Sequence, residues 1–221
     1  PDHKIARALI CAAGVPIAAP SANKSGRPSP TNAQHVLHDF GKKLFILDGG
    51  KTKIGLESTV LDLTVTPPMV LRHGGVTLEE LRRALPDIVD HATHKTRGPA
   101  KSPCMKYRHY APEAPLIIAE GNGVAMFRNI KMILKASRVK RVGILATDER
   151  LPLYMRLGDK RTITLSVGSR KDLQACARRL FAVLREFDTM DVELIVAESF
   201  PERGLGAAMM ERLRRAAHSN V

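Results

Sequence analysis

The chain has 221 residues, with 35 Lys plus Arg against 22 Asp plus Glu, a formal charge of +13 and no tryptophan. That balance excludes an acidic solvating tail, and 44% apolar with 26% charged residues excludes intrinsic disorder. The length suits one large domain or two small ones, and the longest apolar runs, 10–20 and 116–119, fall short of the roughly 18 residues a membrane span needs, so a soluble protein with no membrane contact is expected.

The chain opens Pro1, Asp2, His3 with no methionine and no signal-like segment, and it reads as having lost something upstream. Asp2 is placed to cap a first helix in which Ile5, Ala6, Leu9, Ile10 and Ala13 keep helical spacing up to Gly14. An apolar strand is expected over 16–19, then a polar loop over 21–30, and Thr31 is expected to cap a second helix reaching about Phe40. Residues 44–47, 58–63 and 69–71 read as strands, and Thr77 with Glu80 forms a capping box before a short helix ending near Leu85. From 86 to 112 apolar periodicity disappears and the composition is that of a linker. Beyond it, expected strands at 116–119, 142–146, 163–165 and 194–197 alternate with helices at 124–135, 172–187 and 207–217, the mark of a small parallel, Rossmann-like α/β layer.

The expected organisation is therefore α/β in three parts: a twisted α/β portion over 1–86, a linker or lid over 87–113 and a Rossmann-like domain over 114–221. The charge excess is spread across all three, with 11 basic and 7 acidic groups in 1–86 and 19 and 13 in 113–221, so no dedicated nucleic-acid stripe is seen. Cys11, Cys104 and Cys176 are odd in number, far apart and never in a C-x-x-C pair, which argues against a disulfide framework and a zinc ribbon and for a reducing cytosol.

Chemistry concentrates in four short segments. Residues 19–30 form a polar loop in which Ser21, Asn23, Ser25 and Ser29 offer hydroxyl and amide groups and Gly26 allows close backbone approach; it either holds phosphate or is a plain connector. No Walker lysine accompanies it. Gly55 to Val60 adds a second polar cluster, in which Glu57 either belongs to the site or pairs with a basic group. Arg72, at a strand end, is suited to clamp a phosphate or carboxylate or to make a surface ion pair. Lys106 to Tyr110 joins aromatic and basic groups inside the linker, as a lid over a nucleotide or as a docking point. Gly121 to Gly123 lacks the third glycine of a dinucleotide fingerprint and reads as a turn, and the apolar stripe of the 172–187 helix reads as core.

Taken in order, A-P-S-A-N-x-S-G-x-x-S-P-T at 19–31, G-L-E-S-T-V at 55–60, L-R-x-G at 71–74 and K-Y-R-H-Y-A-P at 106–112 resemble the threonylcarbamoyl-AMP synthase family, in the long YrdC-like form with an extra C-terminal domain. The stretch from Gly204 to Leu213 is similar to that domain's closing motif. The resemblance implies a cytoplasmic nucleotidyltransferase of tRNA modification. It would use ATP, L-threonine and bicarbonate with Mg²⁺, and its product would pass to a tRNA threonylcarbamoyl transferase, with weak tRNA contact. It places Ser21, Asn23, Ser29, Arg72, Tyr107, Arg108 and His109 at ATP, and Ala19 and Ser58 at threonine. It also implies that the N-terminal part of the catalytic domain, with a catalytic basic pair, lies upstream of Pro1, that this fragment is inactive, and that sheet edges are left exposed. No metal-ligand set is expected in the chain. Three positions depart from the family pattern: Cys104 and His73 stand where glycine and proline are usual, and Glu211 where asparagine is usual. A non-catalytic RNA-binding or regulatory protein with the same fold is the alternative reading.

Overall fold

The computed structural model describes residues 1–91 and 109–217. Tyr107, Arg108 and Cys104 lie outside the described residues. The C-terminal half is a four-stranded parallel sheet in the order β4-β7-β5-β6, built from β4 (Leu116–Ala119), β5 (Val142–Ala146), β6 (Thr162–Ser166) and β7 (Leu194–Glu198). Its helices are α4 (Gly123–Ala136), α5 (Leu151–Met155), α6 (Leu173–Asp188) and α7 (Leu205–Ala216).

Side-chain alternation explains the two central strands. On β5 and β7, Ile144, Ala146 and Val196 join Met126 and Ile130 of α4 and Tyr154 of α5, while Leu145, Ile195 and Ala197 join Leu180, Phe181 and Met209 of α6 and α7. Both faces of these strands are therefore buried, which is why they read as continuous apolar runs. At the carboxyl ends, fully buried Glu198 accepts from the backbone N–H of Thr147 at 3.3 Å and its hydroxyl at 3.0 Å, and faces Arg150 at 3.4 Å, tying the loop after β5 to β7. The short α5 was not expected from the sequence, whose five residues are too few to show a period.

The N-terminal half holds α1 (Lys4–Ala13), α2 (Ala33–Phe40), α3 (Leu78–Ala84) and a three-stranded sheet of β1 (Val60–Asp62), β2 (Met69–Arg72) and β3 (Val89–Asp90), in the order β1-β2-β3. β1 and β2 are antiparallel and β2 and β3 parallel. The Thr77 capping box is present in full. β3 lies in the segment expected to be linker: two residues are too short for any pattern, yet they complete a ladder beside β2.

Several expectations need correction. The cap of α1 is His3, whose ring accepts from the Ala6 N–H, and the cap of α2 is Asn32, whose side chain accepts from His35 N–H at 3.0 Å. Thr31 instead donates its backbone N–H to the His35 ring. Residues 16–19 and 44–47 form no strand. They have the apolar composition of buried strands, but no partner strand pairs with them among the described residues, and Phe45 is 95% exposed. Ile5, Leu9, Val15, Ile17 and Leu47 are exposed as well, so α1 buries no side chain. No described helix is long and apolar enough to cross a membrane.

Candidate functional site

The loop at 19–31 is held from the C-terminal half. Arg185 of α6 donates to the Pro28 carbonyl through Nε at 3.0 Å and Nη2 at 2.6 Å, and pairs with both oxygens of Asp39 at 2.9 and 2.7 Å. Both side chains of that pair are buried. Desolvation opposes ionisation of Asp39, but the Arg185 hydrogen bonds and charge and the Lys24 N–H outweigh it, so its carboxyl lies below the ordinary value. Arg27 reaches Asp188 at 2.9 Å and Glu113 at 3.0 Å, and Gly26 accepts from the Ala111 N–H at 2.8 Å. Burial pushes the Asp188 carboxyl up despite the Glu113 N–H and the Arg27 charge. His35 lies beside this network. Desolvation, then the Arg185 charge, depresses it to about 4, and the Thr31 N–H donated to its Nδ1 at 3.1 Å fits the neutral ring.

Within the loop, Asn23 donates to the carbonyls of Lys24 at 2.8 Å and Arg27 at 3.3 Å, so its amide braces the turn. Ser21 and Ala19 are exposed, and the loop does not leave a buried strand as the sequence suggested. Ser29 donates its hydroxyl proton to Glu57 Oε1 at 2.6 Å. Glu57 is in turn gripped by Arg212 of α7, whose Nε lies 2.9 Å from Oε2 and whose side chain is 1% exposed. Of the two roles left open for Glu57, pairing with a basic group is the one observed.

The segment carrying Glu57 and Ser58 is pinned on two sides. Gly55, at φ 83°, lies so close to α6 that a Cβ there would come within 2.4 Å of Arg178 Cα. A Cβ on Gly74 would come within 2.3 Å of Thr59 N, and Gly75 N–H donates to the Glu57 carbonyl at 3.2 Å, so the L-R-x-G turn lies directly on G-L-E-S-T-V. As a result Arg72, expected at ATP, forks onto the carbonyl of Ser58, expected at threonine, through Nε at 3.1 Å and Nη2 at 2.8 Å. Two of the three departures from the family pattern also meet: the His73 N–H, which a proline would lack, donates to Glu211 Oε2 at 3.0 Å. His109 is described, with its ring 5.4 Å from that of Tyr110, which stacks at 5.4 Å on Phe181.

The structure thus brings Ser29, Ser58 and Arg72 onto adjoining turns, while the arginines that fix those turns, Arg27, Arg185 and Arg212, were not found by reading the sequence. The hint that was present is Glu57 itself, an acidic residue in an otherwise neutral motif. Among the described residues no group of three or more His, Cys, Asp or Glu side chains could hold a metal ion. The hydroxyl, amide and guanidinium groups present suit phosphate or carboxylate oxygens, while the carboxylates of Glu57 and Asp39 are paired with Arg212 and Arg185, so the described residues form no resident cation site.

Fold and site together define a two-part α/β protein whose polar loops are docked against a Rossmann-like half. Residues 76–218 match the family described as "Threonylcarbamoyl-AMP synthase, C-terminal domain", and residues 1–74 the family described as "Telomere recombination". Curated relatives called threonylcarbamoyl-AMP synthase are 45% identical in Bacillus subtilis, over 100% of this chain, and 44% identical in Pyrococcus abyssi, over 98%. The chain spans 62% of the length of each. A crystal structure of P. abyssi Sua5 complexed with L-threonine superposes with a TM-score of 0.84 at 43% identity, covering 98% of this chain and 62% of that one. The chain belongs to the threonylcarbamoyl-AMP synthase family.

Proposed function

We propose that the protein is a threonylcarbamoyl-AMP synthase, acting in the cytoplasm in tRNA modification. The threonine amine and bicarbonate condense with loss of water to an N-carboxylated threonine, whose carboxylate oxygen attacks the α-phosphate of ATP as the α–β phosphoanhydride bond breaks and pyrophosphate leaves. The observation that carries this reading is the Arg72 fork on Ser58, which joins the expected nucleotide and threonine positions through one guanidinium. Attack by a carboxylate on the α-phosphate needs alignment and charge neutralisation more than a covalent nucleophile, and a guanidinium anchored on the Ser58 carbonyl is suited to supply both.

Ser21, Asn23, Ser29 and Arg72 serve the nucleotide side, with Tyr107, Arg108 and His109 closing over it, and Ser58 and the Ala19 backbone serve threonine. Mg²⁺ enters as part of the ATP complex, because the donor set described above offers it no carboxylate cage. The product then goes to a tRNA threonylcarbamoyl transferase, with weak direct tRNA contact. The test is to incubate the protein with ATP, L-threonine and ¹³C-bicarbonate. A threonylcarbamoyl adenylate carrying the label is expected; a product without the label, or none, refutes the assignment.

A further inference from the structure

The Ser29 hydroxyl has one proton, and Glu57 takes it at 2.6 Å. What remains on Ser29 Oγ is acceptor capacity. A phosphate oxygen is itself an acceptor, so a serine in this state does not bind phosphate; it binds a donor. Whether the state persists depends on how firmly Glu57 is held as an acceptor. Glu57 is held by Arg212, which lies in the other half of the molecule, is almost fully buried, and is itself fixed by two further contacts. Arg212 Nη1 donates to Glu211 at 3.3 Å, the guanidinium lies 5.5 Å from the centre of the Tyr110 ring, and that ring stacks on Phe181. Arg212 takes Oε2 and leaves Oε1 facing the Ser29 hydroxyl, and the backbone around Glu57 is fixed by the Gly55 approach to α6 and the Gly75 hydrogen bond.

Resting on the ATP reading above, we infer that Arg212 is a positioning residue that sets the hydrogen-bond polarity of Ser29 through Glu57, so that Ser29 recognises a donor group of the nucleotide, a ribose hydroxyl or the adenine amino group, and not its phosphates. The C-terminal half thereby contributes to nucleotide selectivity without touching the nucleotide.

The test is calorimetric titration of the protein with ATP, 2′-deoxy-ATP, 3′-deoxy-ATP, purine riboside triphosphate and pyrophosphate. The proteins compared are wild type, Ser29→Ala, Glu57→Gln, Arg212→Met and Arg212→Lys. One of the three nucleotide analogues should bind wild type about tenfold more weakly than ATP, the effect of one lost hydrogen bond, and which one it is names the donor. That penalty should vanish in Ser29→Ala, in Glu57→Gln, where the new amide can donate to Ser29, and in Arg212→Met, and should survive in Arg212→Lys. Pyrophosphate affinity should not respond to Ser29→Ala. If Arg212→Met does not fold, Ser29→Ala and Glu57→Gln test the polarity of Ser29, and loss of the penalty in Arg212→Lys overturns the role of Arg212. An analogue penalty that persists in Ser29→Ala, or a loss of pyrophosphate affinity there, overturns the inference and leaves the ATP reading standing. Failure of wild type to bind ATP refutes the ATP reading and the inference with it.

Discussion

The two halves of the molecule differ in what holds them. Residues 109–217 fold around a sheet whose central strands are buried on both faces, with helices supplying apolar layers on each side. Residues 1–91 have strands of two to four residues, a first helix with nothing buried, and a row of exposed apolar side chains. Yet the chemistry-bearing loops lie in this second half. They are ordered chiefly by polar contacts across the molecule, from Arg27 to Asp188, Arg185 to Asp39 and Arg212 to Glu57. Apolar packing gives the scaffold its stability, and directional arginine contacts give the loops their geometry.

The contrast can be broken from either side. In the scaffold, Phe181→Ala removes a fully buried ring from the main core and its stack on Tyr110, and should lower stability by about 4 kcal/mol in chemical denaturation. A loss below about 2 kcal/mol would mean that the core is not the anchor described. At the contact between halves, Arg185→Met leaves Asp39 buried and unpaired and should cost about 3 kcal/mol. Adding Asp39→Asn should recover part of that, since the cost is mostly the stranded charge.

Acid separates the two halves more finely. His35 is held near 4 in the folded state against an ordinary 6.5. The unfolded chain therefore takes up the proton first, so the stability this confers is complete above about 6.5 and declines as pH falls towards 4. Glu149, in the other half, is held at about 2 by the Arg170 N–H and the Ser169 hydroxyl, against 4.5. Its contribution is present above 4.5 and is lost as pH falls towards 2. Melting temperature against pH should show the first decline abolished in His35→Gln and the second in Glu149→Gln; a single shared decline would contradict the separation. The smallest effect belongs to the Glu202–Arg214 pair, in which both side chains are about half exposed: Arg214→Ala should change stability by less than about 0.5 kcal/mol in the same denaturation series.

Legibility in the sequence follows the same division. Most helices and strands beyond residue 114 were readable because they are long enough for a packed face to show a period, as the stripe from Cys176 to Leu184 does, whereas the five residues of α5 were too few. Residues 16–19 and 44–47 carry the same apolar signal without a partner strand among the described residues, so composition alone misread them. The site motifs were readable because hydroxyl, amide and glycine residues cluster locally. What arranges them was not: Arg212 and Glu57 are 155 residues apart, and Arg185 and Asp39 are 146 apart. An arginine on a helix shows no mark in the sequence of the partner it will find. Glu57 alone carried a hint, because pairing with a basic group was one of the two roles its sequence left open.

The account turns on the proposal that Arg72, forked on Ser58, serves both the nucleotide and threonine, and the direct measurement is pyrophosphate release from ATP by the protein, wild type against Arg72→Ala. Release that requires both L-threonine and bicarbonate, and falls by about 100-fold or more in Arg72→Ala while the fold is retained, is what the geometry predicts. Release that proceeds without threonine, or an Arg72→Ala protein as active as wild type, would contradict it.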